Sequence, residues 1–469
     1  MRFSDAILGF AWVLMTGCSA GGGVTPSQSS GESYTGGYAN AGGFATTGGA
    51  SNAGTGGSSP GGGSTAASGG AQASGGDSGT SSGGTSSGGE SGAGGTSTGG
   101  SPPSSDAGSV DQPTGGSDVT PAKGYLHTSG SKIVDWQGNE VRLTGLSWFG
   151  METSNYAPHG LWTRSLASFL DQIEQLGYNS LRIPFSTQMF DAGSTPNGID
   201  QNSNADLIGL SPLEILDKVV AGARARGLKV ILDRHRPDSG SQSPLWYTAQ
   251  YSEARWIDDW KMLATHYLGD PTVVGFDLHN EPHDTASWGD GNPQTDFRAA
   301  AERAGNAVLA VNPQLLIIVE GVQTIGTSSS WWGGNLQGAR TAPVNLSVKN
   351  RLVYSIHDYP PSVYDQPWFQ DASYPSNLPA FWDQMWGYLV DSNTAPVWIG
   401  EFGTKLQTDA DKKWLAALAS YIQEKKLSFA YWCWNPNSGD TGGILQDDWT
   451  TVNQNKQDVL QPLLAPKIP

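Results

Sequence analysis

Two glutamates stand at the ends of apolar runs, where a carboxylate could take part in acid–base or nucleophilic chemistry. The first run begins at Val273, has the sequence VVGFDL, and is followed by His279, Asn280, Glu281 and Pro282. A short apolar run of this kind is typical of a strand buried on both faces. The strand is expected to end here, because a proline cannot donate to a sheet ladder. Glu281 is therefore predicted at the carboxyl end of a buried strand, with the amide of Asn280 beside it.

The second glutamate, Glu401, follows the run APVWIG and precedes Phe402 and Gly403. Taken alone, either glutamate would be interpreted as a solvated loop residue. Two glutamates at matching strand ends favour a shared site, because a parallel barrel gathers the carboxyl ends of its strands at one face. In such a pair, a carboxylic acid can donate a proton while an ionised carboxylate acts as a base or nucleophile.

The elements that would position these glutamates alternate along the chain between strands and helices. Strands are predicted at residues 141–149, 179–184, 228–235, 273–282, 315–321, 351–357, 396–401 and 428–434. Helices are predicted at residues 161–176, 213–225, 251–267, 295–311, 377–390, 409–424 and 453–463. Eight strands alternating with helices favour a closed (β/α)8 TIM barrel over an open doubly wound sheet. A small hairpin around residues 136–139 is predicted just before the barrel.

Composition divides the chain into three segments, predicted as residues 1–18, 19–120 and 121–469. The middle segment contains 33 of the 64 glycines and six acidic residues, and it has no lysine or arginine. Such a segment cannot bury enough apolar surface to offset its ordering entropy, which predicts a disordered linker. The last segment has the size of a single barrel with long loops.

The first 18 residues resemble a secretion signal. A short apolar run from Ala6 to Met15 follows Arg2, and it is too short to span a bilayer. The sequence Met-Thr-Gly-Cys that ends at Cys18 resembles a bacterial lipobox. The resemblance implies cleavage before Cys18, lipidation of its thiol, and a location at the bacterial cell surface or outer membrane. The alternative is an ordinary secretory peptide that is cleaved near Ala20.

The net charge limits the classes of partner. The formal charge of the chain is −17, and no basic patch is evident, which argues against nucleic acid. An acidic surface also disfavours anionic polymers, whereas a neutral polysaccharide meets no such objection. The two cysteines, Cys18 and Cys433, have no reason to pair, so no disulfide framework is expected. We expect a monomer without a cofactor.

From about Tyr125 to Pro466 the chain resembles glycoside hydrolase family 5, and most of all its bacterial endo-β-1,4-glucanases. Asn280, Glu281 and Pro282 match the acid/base motif of that family, and Glu401 matches its nucleophile. The resemblance implies a retaining enzyme that hydrolyses internal β-1,4-glucosidic bonds by double displacement. In such enzymes the two carboxyl groups lie about 5–5.5 Å apart.

Further positions match the family's substrate-binding residues. With Asn280, these are Arg182, His235, His357, Tyr359 and Trp432. The resemblance implies that Arg182 holds the nucleophile, that Trp432 lies beneath the cleaved sugar, and that the bond between Trp432 and Cys433 is a non-proline cis peptide. Arg182 is expected to keep Glu401 ionised. Glu281, with no equally close cation expected, is predicted to have a raised pKa and to act as the acid.

Close relatives carry cysteines in three loops, at positions aligned with residues 153–155, 238–240 and 288–290. This chain has none at these positions, so the loop disulfides of the family cannot form. The catalytic residues are unaffected by this difference.

Tryptophans on the predicted loops could stack on sugar rings. Trp331 and Trp332 precede two glycines after the fifth strand, which favours an exposed loop and predicts Trp332 as a substrate-binding residue. Trp246, Tyr247 and Trp288 follow other strands. For these three residues, contact with substrate and packing within a loop remain equally open.

The two histidines also raise the possibility of a metal site, because Asp233 and Asp358 lie close to them in sequence. A catalytic zinc site usually has three protein ligands with defined spacing, and the chain has no HExxH or similar helical pair. Contacts with sugar hydroxyls are therefore the favoured role of His235 and His357, and no metal is expected.

Other functions remain open at this stage. The same chemistry on mannan or xyloglucan is the nearest alternative, because loops and not catalytic residues determine that choice. A non-catalytic glycan-binding lipoprotein has no need of Glu281, Glu401, Arg182 and Tyr359 together. A structural surface protein built on the glycine-rich segment would leave residues 121–469 unexplained.

Overall fold

The computed structural model of the chain describes residues 116–469. The predicted leader with Cys18, and nearly all of the predicted linker, therefore lie outside the described residues. Within residues 116–469, no helix combines the length and the apolar character needed to cross a membrane.

A three-stranded antiparallel sheet precedes the barrel in the chain and confirms the predicted hairpin. Its strands are β1 (Leu126–Ser129), β2 (Lys132–Asp135) and β3 (Glu140–Val141). The turn between β2 and β3 is held by Asp135, whose carboxylate accepts from the backbone N–H groups of Gln137 and Asn139 at 2.9 Å each. Leu126 and Ile133 pack against residues at the amino-terminal ends of the barrel strands, which they cover.

Eight parallel strands form a closed barrel, as predicted. They are β4 (Thr144–Ser147), β5 (Ser180–Ser186), β6 (Lys229–Arg236), β7 (Val273–Asp277), β8 (Leu316–Glu320), β11 (Leu352–Asp358), β12 (Val397–Phe402) and β13 (Ser428–Tyr431). A two-stranded ribbon, β9 (Thr324–Ile325) and β10 (Ser328–Ser329), lies in the connection between β8 and β11. The strands pair in chain order, and pairing of β13 with β4 closes the barrel. Nearly every strand residue is buried, because helices cover the outside and side chains fill the inside.

Helices follow most of the strands. They are α1 (Leu166–Gln175), α2 (Pro212–Ala225), α3 (Glu253–His266), α4 (Phe297–Val311), α5 (Leu378–Trp382), α6 (Tyr388–Asp391), α7 (Asp409–Lys425) and α8 (Gln454–Leu460). A π-helical turn at Asp383–Gly387 joins α5 to α6, so the predicted helix at 377–390 is one helix with an irregular centre. Side chains cap the amino termini of five helices; α2 begins with a capping box between Ser211 and Glu214.

Three barrel strands are at least three residues shorter than the sequence predicts. The fourth ends at Asp277 and not at residue 282, so Glu281 follows the strand and is not part of it. The first starts at Thr144 and not at residue 141, because Val141 pairs with β2 in the antiparallel sheet. It ends before Phe149, whose backbone N–H donates to the side chain of Asn435 at 3.1 Å. The last strand ends at Tyr431, so Cys433 lies after the strand, where it is buried as a free thiol.

Candidate active site

Glu281 and Glu401 lie at the same face of the barrel, at the carboxyl ends of two different strands. Glu281 comes four residues after β7, whereas Glu401 is the fifth residue of β12. Both side chains are buried, at 6% and 3% exposure. One oxygen of each carboxylate and a ring nitrogen of His357 all lie within 4.8 Å of one another. The fold therefore brings together the two glutamates that the sequence singles out.

Glu401 is held by two donors on its two oxygens. Arg182, which is fully buried on β5, donates to Oε1, and the hydroxyl of Tyr359 donates to Oε2 at 2.5 Å. The same guanidinium lies 3.1 Å from a carboxylate oxygen of Asp233 and 3.0 Å from one of Asp277. One arginine thus faces several buried carboxylates, which fixes its position from three sides.

Glu281 is held by three contacts, each from a different part of the chain. Its Oε1 lies 2.9 Å from Nδ1 of His357, and its Oε2 accepts from the amide of Gln242 at 2.8 Å. Its backbone N–H donates to Glu320 at 2.8 Å. The backbone of Glu281 has a φ of 53°, a left-handed conformation that non-glycine residues seldom adopt. Such a conformation persists where surrounding contacts enforce it.

The pKa values of the two glutamates differ from the sequence-based expectation. Burial alone would raise the pKa of Glu281, but hydrogen bonds from His357 and Gln242 outweigh it and lower that pKa. Burial raises the pKa of Glu401, and the charges of His357 and Arg182 only partly oppose it. The prediction that Glu281 lacks a close cation is wrong, because His357 contacts it directly.

The two histidines have opposite electrostatic environments. Burial lowers the pKa of His235 to about 4, so its ring is neutral at pH 7. Burial would also lower the pKa of His357, but the charges of Glu320 and Glu401 and the contact with Glu281 raise it well above its usual value. His357 is therefore the protonated histidine of the site.

Trp432 is half-buried and packs against two other rings in nearly parallel planes. Its ring centroid lies 5.3 Å from that of His235 and 5.6 Å from that of Phe149. The peptide bond between Trp432 and Cys433 is cis, as predicted. Close by, Asn280 accepts from Arg182 at 2.8 Å, and its Nδ2 has no acceptor among residues 116–469.

Trp332 is half-buried, whereas the other tryptophans considered above for stacking on sugar rings are buried. Trp332 stacks on His283 with ring centroids 3.8 Å apart, and Nδ1 of His283 lies 2.6 Å from the carbonyl oxygen of Glu281. The hypothesis of an exposed pair is wrong for Trp331, which is 8% exposed, and Trp246 and Trp288 are also buried. Trp246 is fully covered because its indole N–H donates to Glu253 and its ring packs against α3 and α4.

A metal ion is one possible reason for a cluster of carboxylates and histidine. Among residues 116–469, the group with suitable spacing is Glu281, His357 and Glu401. Both glutamates already accept hydrogen bonds on both oxygens, from Arg182, Tyr359, Gln242 and His357. Hydrogen bonding within the protein therefore accounts for this cluster.

Four residues of the site were not singled out from the sequence: Gln242, Asp277, His283 and Glu320. Glu320 ends the apolar run LLIIVE, so it has the same signal that identifies Glu401. Asp277 lies within the run that leads to Glu281. Gln242 gives no signal, because the connection after β6 has no hydrophobic period that could place its side chain.

Comparison with known proteins supports the resemblance. A family model described as cellulase (glycosyl hydrolase family 5) matches residues 134–438. An endoglucanase of Paenibacillus polymyxa is 56% identical over 358 residues, covering 75% of this chain and 90% of that protein. The major extracellular endoglucanase of Xanthomonas campestris pv. campestris is 45% identical over 350 residues, covering 73% of this chain and 72% of that protein.

Solved structures show the same relationship. The catalytic domain of the major endoglucanase from Xanthomonas campestris pv. campestris has a TM-score of 0.70 at 44% identity, covering 72% of this chain and 99% of that chain. An endocellulase from Pyrococcus horikoshii, in a complex with cellotetraose, has a TM-score of 0.69 at 41% identity, covering 73% of this chain and 99% of that chain. Since the match extends over the barrel and its strand-end glutamates, the chain belongs to family 5 of the glycosyl hydrolases.

Proposed function

We propose that this chain is a retaining endo-β-1,4-glucanase, with Glu281 as acid/base and Glu401 as nucleophile. The observation that carries the proposal is the short separation of two buried carboxylates, since one oxygen of Glu281 and one of Glu401 lie within 4.8 Å of each other. An inverting enzyme needs about 6.5–9.5 Å between the two groups to admit a water molecule, whereas a retaining enzyme needs about 5–5.5 Å. The choice of β-1,4-glucan rests on the relatives, which are named endoglucanases.

In the first step, a carboxylate oxygen of Glu401 attacks the anomeric carbon and forms a glycosyl ester. The bond from that carbon to the glycosidic oxygen breaks, and the departing oxygen takes the electron pair and a proton from Glu281. In the second step, Glu281 accepts a proton from water while the water oxygen attacks the same carbon and releases Glu401. Two displacements at one carbon retain the anomeric configuration.

The proton for the first step is shared between Glu281 and His357. Their hydrogen bond of 2.9 Å joins a carboxylate whose pKa is lowered to a histidine whose pKa is raised, so the proton rests on the histidine. Transfer along this bond converts Glu281 into the acid. This arrangement gives Glu281 both forms that the two steps require.

The other residues bind the sugar and hold the nucleophile. Arg182 and Tyr359 orient Glu401, and they favour its ionised form by hydrogen bonding. The amide of Asn280 donates to a hydroxyl beside the reacting carbon. His235 contacts sugar hydroxyls and supports Trp432, whose face carries the sugar that is cleaved. Trp332, which stacks on His283, provides a second stacking surface for a sugar.

Azide rescue separates the roles of the two glutamates. Glu281→Ala should still form the glycosyl-enzyme from an aryl glycoside with a good leaving group, and azide should then yield a product of retained configuration. Glu401→Ala has no nucleophile, so azide should yield a product of inverted configuration. Proton NMR of the first product formed by the unsubstituted enzyme should show the β-anomer. An initial α-anomer would rule out both carboxylate roles.

A substrate panel tests the choice of polysaccharide. Reducing-sugar release is expected from soluble β-1,4-glucans, with a rapid fall in viscosity that reflects internal cleavage. Faster hydrolysis of mannan or xyloglucan would transfer the same mechanism to a different substrate class.

We also propose that the protein is secreted and anchored through lipid on Cys18. The lipobox-like end of the leader supports the anchor, and secretion agrees with a relative that is named an extracellular endoglucanase. Cys18→Ala should release the enzyme from the membrane fraction or leave the precursor uncleaved. A processed Cys18→Ala protein that still fractionates with membranes would contradict the anchor.

A further inference from the structure

Glu320 is a buried carboxylate that the proposed mechanism does not use. It is the last residue of β8 and has 0% exposure. Its Oε2 accepts from the backbone N–H of Glu281 at 2.8 Å, and its Oε1 lies 3.2 Å from Nε2 of His357. The second contact has the distance of an ion pair without the alignment of a hydrogen bond. Glu320 therefore contacts both members of the proton-sharing pair.

We propose that Glu320 is a positioning residue for the acid/base: it fixes the backbone of Glu281 and keeps His357 positively charged. This inference rests on the proposed role of Glu281. No atom of Glu320 has to touch the substrate, since it acts on one side through a backbone N–H and on the other through an imidazole ring.

The backbone contact accounts for the unusual conformation of Glu281. Glu281 has a φ of 53°, and its N–H donates to the side chain of Glu320. A carboxylate that accepts from a buried backbone N–H makes a charge-assisted hydrogen bond, which is stronger than a neutral one. Without it, a left-handed glutamate would lose a contact that enforces its strained backbone.

The loop that contains Trp332 holds Glu320 in place. The N–H of Gly321 donates to the carbonyl of Gly333 at 2.8 Å, and the N–H of Gly333 donates to the carbonyl of Pro282 at 3.2 Å. Gly333 has a φ of 68°, and a Cβ at this position would collide with Oε2 of Glu320. The loop thus covers the carboxylate closely and connects the end of β8 to the acid/base motif.

The charge contact explains why one histidine of the site is protonated and the other is neutral. Both rings are buried, which disfavours a charge. His357 has Glu320 at one nitrogen and Glu281 at the other, whereas His235 has Asp233 at a single nitrogen at 2.7 Å. A positive ring beside Glu281 stabilises the carboxylate of the resting enzyme and holds the proton that Glu281 receives for the first step.

Other charged or titratable groups face the same cluster from four barrel strands and must be held constant in a test. They are Arg182 on β5, Asp233 and His235 on β6, Asp277 on β7 and Glu401 on β12. Removing the negative charge of Glu320 weakens proton binding by the Glu281–His357 pair, because a nearby anion stabilises each protonated form. The pair should then lose its proton at a lower pH.

The pH profile of kcat/KM on a β-1,4-linked oligosaccharide tests the proposal. Glu320→Gln keeps the shape of the side chain but removes its charge, so the alkaline limb should move down by about one pH unit. Glu320→Asp keeps the charge but shortens the reach to Glu281, so activity should fall about tenfold while the limb stays in place. Asp358→Asn, which changes a neighbouring buried carboxylate that contacts two indole N–H groups, should also leave the limb in place.

An equal loss of activity by Glu320→Gln at every pH, with an unmoved limb, would reduce Glu320 to a structural residue and overturn the proposal. Failure of the proposed function gives a different result, because Glu281→Ala would then keep its alkaline limb on a substrate with a good leaving group.

A spectroscopic measurement keeps the proposal testable if Glu320→Gln does not fold. Nitrogen-15 NMR of the histidine rings, with His357 assigned by His357→Gln, should show His357 still protonated at about pH 8 in the unsubstituted enzyme. A neutral His357 ring at about pH 7 would contradict the proposal.

Discussion

Gln242 is an uncharged, half-buried side chain that contacts the carboxylate of Glu281. Its amide donates to Oε2 at 2.8 Å, and this bond lowers the pKa of Glu281. The contact opposes protonation of Glu281 in the first step and favours its basic form in the second. Gln242 therefore affects the balance between the two displacement steps.

We expect Gln242→Ala to move the alkaline limb of kcat/KM upward, because the carboxylate of Glu281 loses a donor and holds its proton more tightly. This is opposite to the shift expected for Glu320→Gln. The removed hydrogen bond to a charged group is worth about 1.5–3 kcal/mol, which allows a shift of about one unit. The measurement is the pH profile of both variants on the same substrate.

Gln250→Ala serves as the control, since Gln250 is an exposed glutamine on the same connection. A downward or absent shift in Gln242→Ala would show that the amide does not stabilise the ionised form of Glu281.

At the scale of single residues, the sequence predicts those site residues that lie at a strand end and match a known motif. Glu281, Glu401, Arg182 and His357 could be identified because the barrel places strand ends together. Which of the two glutamates has the higher pKa could not be predicted. It depends on which carboxylate His357 contacts, and spacing along the chain does not determine positions to within a few ångströms. Glu320 shows a further limit of prediction from sequence. It ends an apolar run as Glu401 does, but its contact with the backbone N–H of Glu281 cannot be inferred from side-chain types or spacing.

At the scale of elements, two successive side chains of β11 face in opposite directions. One faces the active site and the next faces the surrounding helices. His357 points toward the glutamates, whereas the carboxylate of the next residue, Asp358, accepts from the indole N–H groups of Trp414 at 2.6 Å and Trp382 at 3.0 Å. This alternation is the two-residue period of a strand. Asp358 thereby ties the end of β11 to α5 and α7.

Asp358 should make stability depend on pH. Burial raises its pKa to about 7 despite the two indole donors, whereas an unfolded aspartate has a pKa of about 3.9. Because the pKa of Asp358 is higher in the folded protein, its contribution to the free energy of unfolding is complete below about pH 4. That contribution is lost as the pH rises through about 7. Asp358→Asn should be less stable by about 1–3 kcal/mol at about pH 5, where one indole loses its acceptor.

The difference in the free energy of unfolding between Asp358→Asn and the unsubstituted protein should be smaller at about pH 8. Only the unsubstituted protein loses stability as the pH rises, because ionisation of its aspartate favours the unfolded chain. Urea unfolding at the two pH values measures this. Asp365→Asn, at an exposed position in the following connection, is the control and should show no such change. A constant difference at both pH values would mean that Asp358 is ionised in the folded protein throughout.

Sequence patterns predict the order of strands and helices but not their irregularities. The helix at 377–390 was predicted as continuous, and the π-helical turn at Asp383–Gly387 leaves no trace in the apolar spacing. Val141 suits the first barrel strand equally well, yet it pairs with β2. Tertiary packing determines which of the two sheets includes Val141. Burial of Trp246 was likewise beyond the sequence, since it depends on packing against α3 and α4.

At the scale of the whole molecule, the charge of −17 should distinguish neutral from anionic substrates. Hydrolysis of carboxymethylated β-1,4-glucan is expected to rise when salt is increased, because the Debye length falls from about 30 Å at 0.01 M to about 10 Å at 0.1 M. Hydrolysis of an uncharged soluble β-glucan should change little. Initial rates on both substrates across this range measure the effect, and equal salt dependence would contradict it.

Removal of residues 19–115 should leave kcat/KM on soluble oligosaccharides within about twofold of the full-length value, a change below about 0.5 kcal/mol. The reason is that every contact described for the active site comes from residues 149–432. Kinetics of the shortened and full-length proteins on cellotetraose provide the comparison. A larger loss would place part of the segment near the site.

Both ends of the described chain lie at the amino-terminal ends of the barrel strands. Ser117 pairs with Val348 shortly before β11, and the carbonyl of Pro469 lies 3.4 Å from Nζ of Lys229 at the start of β6. The catalytic glutamates lie at the opposite ends of the strands. The described residues therefore begin and end on the face opposite the catalytic glutamates, where neither end obstructs a long polymer bound across them.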